Sequence, residues 1–324
     1  MELDSTTSAM ATVLPWQMQQ WSRVQAQKAG DSLPHALLVT GVEGIGKASF
    51  CRAMAQWLLC EAGEDIACGS CRNCQLNKAQ THPDLVFVNP EEKSTVIKIE
   101  QIRQLVDYIN KTPQLARHKV ICLGPAERMN TNAANALLKS LEEPSASTLI
   151  LLYCHRPSAL PATIRSRCQL LEMPFPQQQQ AEQWLLPRLG SIEHVENALN
   201  IANGRPVRAM ELFNAGLLDQ YADFGARLDA LAVNAISGVT LAAELKDIKL
   251  EDILMVLEAY LHRKYRQSWR QNDSARGGLK SLFLLIDEIQ ATRNAVQNGA
   301  NPNRQLTLEK IFSGVQGLQA TAAI

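Results

Sequence analysis

The chain has no apolar run approaching the roughly 20 residues that a membrane span requires. It also has no surplus of either charge, with 32 Lys and Arg against 32 Asp and Glu. The first absence, with 46% hydrophobic residues, describes a soluble globular protein. The second removes the global basic field that tight, autonomous nucleic-acid binding draws on. Met1-Glu2-Leu3-Asp4 lacks the basic region and apolar core of a signal peptide, so a cytoplasmic location is expected. Residues Asp4 to Thr12 are small and polar and read as a frayed tail. In such a compartment, eight cysteines point to metal or buried thiols before disulfides.

A further lack sits inside a motif. Gly41-Val42-Glu43-Gly44-Ile45-Gly46-Lys47-Ala48 follows the phosphate-loop pattern G-x-x-x-x-G-K-[ST] up to its last position. Gly41, Gly44 and Gly46 let backbone N–H groups wrap phosphates, and Lys47 would reach the terminal ones. The last position needs a hydroxyl for Mg²⁺ but holds the methyl group of Ala48. Ser49 does not replace it, because one residue further along a helix points about 100° away. ATP binding is therefore doubtful, and the acidic residues such an ATPase uses are missing as well. They belong at the end of the third strand, to hold Mg²⁺ and activate water. After Lys119–Leu123 those positions are Gly124 and Pro125, and Glu127 comes two residues late, past a proline turn. Hydrolysis by this chain alone is not expected.

With 324 residues there is room for two or three domains. Short apolar runs at Ala36–Thr40, Leu85–Val88, Lys119–Leu123, Thr148–Tyr153 and Gln169–Met173 alternate with helical patterns, which predicts a parallel sheet covered by helices. Ile99, Ile102, Val106 and Ile109 recur at helical spacing. Another helix is expected from about Thr131 to Glu142, capped by Asn130 or Thr131 and stopped by Pro144. The phosphate loop directly follows the first strand, the context a genuine one requires. Pro174-Phe175-Pro176 and Gln177–Gln180 read as a linker. Beyond it, Ala181–Asn214 reads as a small helical bundle broken at Gly204-Arg205-Pro206, and only helical periodicity follows from Ala215. Loops are expected at Gln271–Gly278 and Gln297–Arg304. The expected division is 1–173 (α/β), 174–214 (helical lid) and 215–324 (all-α).

Cys60, Cys68, Cys71 and Cys74 lie within fifteen residues in overlapping C-x2-C turns, with Cys60 arriving from the end of the preceding helix. Four thiolates suit a tetrahedral Zn²⁺ with no open coordination position, hence a structural site. A redox C-x-x-C would leave two neighbouring cysteines unexplained. Cys51 is the one competitor for Cys60, while Cys122, Cys154 and Cys168 read as core residues.

Two further segments carry a family resemblance. Asn132-Ala133-Ala134-Asn135-Ala136-Leu137-Leu138-Lys139-Ser140-Leu141-Glu142-Glu143-Pro144 resembles a signature of bacterial sliding-clamp loader subunits, which belong to the AAA+ ATPases. Leu160 to Cys168, ending in Ser166-Arg167-Cys168, is similar to another. The four-cysteine insertion and Asn301-Pro302-Asn303-Arg304-Gln305-Leu306-Thr307-Leu308-Glu309 also resemble that family. The resemblance implies an AAA+ α/β domain with a zinc module, a helical lid and an all-α collar. It further implies a component of the DNA polymerase III holoenzyme that works with motor (gamma/tau) and delta subunits, the sliding clamp and primed DNA. The degenerate motifs favour a non-hydrolysing subunit over the motor. The resemblance assigns Arg167 to the ATP site of a neighbouring motor subunit as an arginine finger, flanked by Ser166 and Cys168, with Arg165 as the fallback.

Other residues keep plainer readings open. Arg205 and Arg208 sit where the family's lid places a phosphate-sensing arginine, but a structural role is at least as good. His262-Arg263-Lys264-Tyr265-Arg266 with Trp269 and Arg270 suits a nucleic-acid backbone or a partner subunit, and suits better a solvated helix end with aromatics packed inward. His82-Pro83-Asp84 reads as turn chemistry. Two rival functions remain: a P-loop ATPase using Lys47 alone, and a zinc-dependent nucleic-acid module, against which the neutral charge counts.

Overall fold

The structure is a computed structural model describing residues 10–63, 65–91, 94–143, 147–246, 248–270, 276–297 and 300–320, without the side chains of 222, 266–270, 276–279, 297, 319 and 320. It divides into two units, Met1–Gln180 and Ala181–Ile324.

The first unit runs α1 (Met18–Ala29), β1 (Ala36–Thr40), α2 (Lys47–Leu59), α3 (Arg72–Lys78), β2 (Leu85–Val88), α4 (Ile99–Ile109), β3 (Lys119–Leu123), α5 (Thr131–Glu142), β4 (Thr148–Cys154), α6 (Ala162–Arg165) and β5 (Gln169–Glu172). The strands form one parallel sheet in the order β2-β3-β4-β1-β5. Every residue of β1, β3 and β4 is buried. Strands covered on both faces cannot alternate apolar and polar residues, which is why each reads as an unbroken apolar run. The period of two instead sorts residues between two cores. Ala36, Leu38, Ile121, Leu123, Ile150 and Leu152 face the helices α4 and α5. Leu37, Val39, Val120, Cys122, Leu149 and Leu151 face α1 and α2. Each such aliphatic side chain contributes about 1.5–3 kcal/mol when fully buried.

The strands, α4 and α5 lie where the apolar patterns put them, apart from single residues at the ends of β4 and β5. The Asn130 side chain caps α5 by accepting from Ala133 N at 2.8 Å. Pro144, the expected stop, lies outside the described residues. Three expectations need correction. Arg276–Gly278, read as loop, open the helix Arg276–Gln297, while residues 271–275 lie outside the described residues. Met10–Thr12 is tied down, because Ala11 N donates to Gln56 Oε1 at 2.8 Å and Ala11 packs on the core; the rest of the expected tail, Asp4–Ala9, lies outside the described residues. Gln178–Gln180, read as linker, already belong to the helix α7 (Gln178–Leu189), since glutamine is a good helix former and Ala181, Leu185 and Leu189 give that helix a buried face.

His82-Pro83-Asp84 proves to be turn chemistry with a defined task. The buried Asp84 carboxylate accepts backbone N–H bonds from Gln114, Leu115 and Ala116 at 2.7, 2.8 and 2.8 Å, and so fixes the connection from α4 to β3. Nearby, the Tyr108 hydroxyl donates to Pro83 O at 2.8 Å, and Lys119 Nζ donates to Ile109 O at 3.2 Å. Burial alone pushes the Asp84 carboxyl up, but these three donors and His82 hold it below its ordinary value.

The second unit continues with α8 (Ile192–Ile201), α9 (Pro206–Asn214), α10 (Leu218–Ala232), α11 (Gly238–Glu244), α12 (Leu250–Arg270), α13 (Arg276–Gln297) and α14 (Arg304–Ala320). Its core is one apolar cluster running from Ala181 to Val315. Arg304, in the Asn-Pro-Asn-Arg motif, donates to Leu245 O and Ile248 O, carbonyls just past the end of α11.

Asp84→Asn halves the acceptor capacity of a buried, triply bonded group and is expected to destabilise the chain by about 1–3 kcal/mol at pH 7. The native carboxyl is depressed, so its contribution is full above its unfolded value, near 3.9, and is lost as pH falls through the lower folded value. Urea denaturation at several pH values checks this: the gap between wild type and variant is widest near neutrality and shrinks on acidification below about pH 4.

Candidate functional site

The loops that bear on chemistry leave the carboxyl ends of β1, β4 and β3, the edge at which parallel α/β sheets receive ligands. After β1, Gly41, Gly44 and Gly46 take φ values of 142°, 80° and 86°, a region that side-chain-bearing residues rarely enter. The phosphate-loop backbone is therefore formed, and Lys47 opens α2 as the pattern requires. Lys47 is 2% exposed, and its amine donates to Val42 O inside the loop. Burial lowers the Lys47 pKa to about 8, against the opposing charges of Glu127 and Glu43. The loop carbonyls are tied from the amino-terminal side. Trp16 Nε1 donates to Ile45 O at 2.9 Å, and Gln17 Nε2 donates to Gly46 O at 3.0 Å.

Gly124, the position for a Mg²⁺-holding acid, faces a filled space. A Cβ built there would stand 2.6 Å from Tyr153 O and 2.7 Å from the Tyr153 ring. The Tyr153 hydroxyl donates toward Gly124 O at 2.7 Å, with Asn89 Oδ1 2.9 Å away. No side chain fits at 124 unless β3 and β4 separate. Past the cis Gly124–Pro125 peptide, a single helical turn at Ala126–Arg128 sends Glu127 back across the strand ends. Its carboxylate accepts from His155 N, just after β4, at 3.0 and 3.2 Å. The sequence reading placed Glu127 two residues late for the acidic position; in the fold its charge, with that of Glu43, acts on Lys47. Burial, with the Lys47 charge, lowers the His155 pKa to about 4, so His155 is neutral at physiological pH.

Arg167 follows α6 and is about one-third exposed. Its Nη2 pairs with Glu142 Oε1 at 2.5 Å, and its Nη1 donates to Thr163 O at 3.0 Å and lies 3.4 Å from Ser166 Oγ. Arg165 and Ser166 are exposed, while Cys168 packs against the core and burial pushes its thiol up to about 12.

The four cysteines converge. Cys60 caps the end of α2, Cys68 lies in the following turns, and Cys71 and Cys74 begin α3. All four Sγ atoms lie within 4.8 Å of one another. Cys60 Sγ to Cys71 Sγ is 4.0 Å and Cys68 Sγ to Cys74 Sγ is 3.9 Å. Four thiolates about 2.3 Å from a tetrahedral zinc would be separated by about 3.8 Å, so the cluster has the size the ion needs and is far too open for disulfides. Backbone N–H groups of Cys68, Ser70, Cys71 and Cys74 point at the sulfurs from 3.3 to 3.5 Å, as thiolate ligands require. The Ser70 hydroxyl, with the Ser70 and Cys71 N–H groups, lowers the Cys68 thiol to about 6. Cys51, the competitor for Cys60, lies within α2 and is buried in the core on its inner face. The group can hold one metal ion.

The remaining candidates are committed within the second unit. Arg208 pairs with Glu211 at 3.0 Å and with Asp252, and Arg205 Nε donates to Ala202 O at 2.7 Å. Arg263 and Lys264 lie over the Tyr260 ring, Lys264 also pairs with Asp229 at 2.7 Å, and Tyr265 packs edge-on against Phe283. The side chains of Arg266, Trp269 and Arg270 lie outside the described ones.

Comparison with known proteins gives a consistent picture. Residues 16–177 match the family described as DNA polymerase III, delta subunit. DNA polymerase III subunit delta' of Pseudomonas aeruginosa is 35% identical over 94% of this chain and 97% of its own length. The Haemophilus influenzae protein of the same name is 35% identical over 66% of each chain. Among solved structures, a DNA polymerase III gamma subunit-related protein from Thermotoga maritima aligns with 93% of this chain and 99% of its own, with a TM-score of 0.50 and 18% identity, a likeness of fold.

Two outcomes are expected from this geometry. Metal analysis of the purified chain returns one zinc ion per chain, and Cys71→Ser lowers both the metal content and the melting temperature. Gly124→Ala destabilises by about 1–3 kcal/mol in thermal denaturation, because the added methyl meets strand backbone.

Proposed function

The chain belongs to the DNA polymerase III delta' subunit family, and from that premise we propose that it is a non-hydrolysing clamp-loader subunit that completes a neighbouring motor subunit's ATP site with Arg167. The observation that carries this reading is a contrast within one domain. The phosphate loop keeps its glycines, yet Lys47 is turned into its own loop and the Mg²⁺-acid position is closed by Tyr153. Arg167, by comparison, stands on the surface with a planar, permanently charged fork suited to a terminal phosphate. In trans such a residue stabilises charge that develops as the phosphoryl group transfers, worth roughly 10³–10⁵ in turnover.

In this reading Ser166 and Cys168 set the arginine's place, Cys168 through packing and Ser166 through its hydroxyl. Zinc held by Cys60, Cys68, Cys71 and Cys74 stiffens the turn between α2 and α3 and takes no part in chemistry. Residues 1–173 act as the AAA+ domain, 174–214 as its lid and 215–324 as the collar that joins the motor (gamma/tau) and delta subunits. The assembly acts on the sliding clamp and primed DNA in the cytoplasm. No helix among the described residues is long and apolar enough to cross a membrane.

A second reading, retention of ATP without hydrolysis through Lys47, draws support from the formed glycine cradle. Equilibrium binding of ATP to the isolated chain, lost on Lys47→Ala, distinguishes it. For the main reading, the complex is reconstituted with motor and delta subunits. Arg167→Ala is expected to lower its DNA-stimulated ATP turnover and clamp loading by at least ten-fold at the affected site. Turnover and loading equal to wild type would remove the finger.

A further inference from the structure

We propose that Glu142 parks Arg167, holding the finger against its own domain until a neighbour's phosphate displaces the carboxylate; this rests on the finger reading above. Glu142 ends α5 and Arg167 follows α6, so two separate elements bring the pair together. Both arms of the guanidinium are engaged. Nη2 is on Glu142 Oε1 at 2.5 Å, and Nη1 is on Thr163 O at 3.0 Å with Ser166 Oγ at 3.4 Å. The arginine is thus laid down on the ends of two helices, and it has to release at least one arm to reach another chain.

The displaced partner is of the right chemistry. Carboxylate and phosphate are anions with matching oxygen spacing, and both take the same guanidinium edge in bidentate fashion. They compete for Arg167 and do not add. The strength is also right for a catch that opens. Glu142 and Arg167 are 48% and 34% exposed, and an ion pair in that setting contributes between nothing and about 1 kcal/mol. A terminal phosphate, carrying about two negative charges on three oxygens where the carboxylate carries one on two, displaces so weak a pair. Until it arrives, the catch keeps a long cationic side chain from sampling other acidic groups.

Parking and support have opposite signs, which makes the idea testable. DNA-stimulated ATP turnover is measured in the complex reconstituted with motor and delta subunits, comparing wild type, Glu142→Gln, Arg167→Ala and the double variant, at low and high salt. Glutamine keeps the shape and removes the charge. If Glu142 parks the finger, Glu142→Gln raises turnover at low salt by up to about five-fold, the factor equivalent to 1 kcal/mol. The gain shrinks at high salt, where the native pair is already screened. It vanishes in the Arg167→Ala background, which a general structural effect of the substitution would not do. Turnover that falls or stays level in Glu142→Gln overturns the proposal, as does a gain that persists without Arg167. If Arg167→Ala alone matches wild type, it is the finger reading that fails, and the parking idea falls with it.

Discussion

Beside the phosphate loop, β3 and β4 run in parallel with Leu123 opposite Leu152, and one residue later Gly124 lies against Tyr153. A Cβ at 124 would sit 2.6 Å from strand backbone. This contact determines what the carboxyl edge of the sheet can hold. It excludes an acid from the place where Mg²⁺ chemistry needs one, and it sends the chain through Pro125 into the short turn that carries Glu127 back to His155. The Lys47 amine donates to Val42 O of its own loop, and the charges of Glu127 and Glu43 act on it.

Around that edge the rest of the first unit reads as support. The two apolar cores fix the strands and so fix the register that presses Tyr153 onto Gly124. Asp84 gathers three backbone N–H groups and sets the approach to β3. The cysteine cluster brings the end of α2, whose first residue is Lys47, together with the start of α3. In the proposed function the working residue of this unit is Arg167, which follows α6 and pairs with Glu142 at the end of α5.

How far this was legible in the sequence follows from distance along the chain. Continuous apolar runs bounded by glycine and proline gave the strands, and the interval from Asn130 to Glu142 gave α5 with its cap, since those signals are local. The cysteines were legible for the same reason, as turn spacing alone brings Cys68, Cys71 and Cys74 together. Contacts between strands were not. Nothing near Gly124 announces Tyr153, and nothing near Glu127 announces His155, because each pair depends on the order β3-β4. The pairing of Arg167 with Glu142 was hidden likewise, although both lie in motifs the sequence made conspicuous. The polar run Gln177–Gln180 misled because composition resembles a linker while the apolar face that makes it helical lies just downstream.

The claim at the centre is that Mg²⁺ chemistry has left this chain and acts only through a neighbour. Mg²⁺-dependent ATP turnover by the purified chain alone, with Lys47→Ala prepared in parallel, meets it most directly. No turnover above the Lys47→Ala background is expected. Sustained turnover by the wild-type chain that Lys47→Ala abolishes would contradict it.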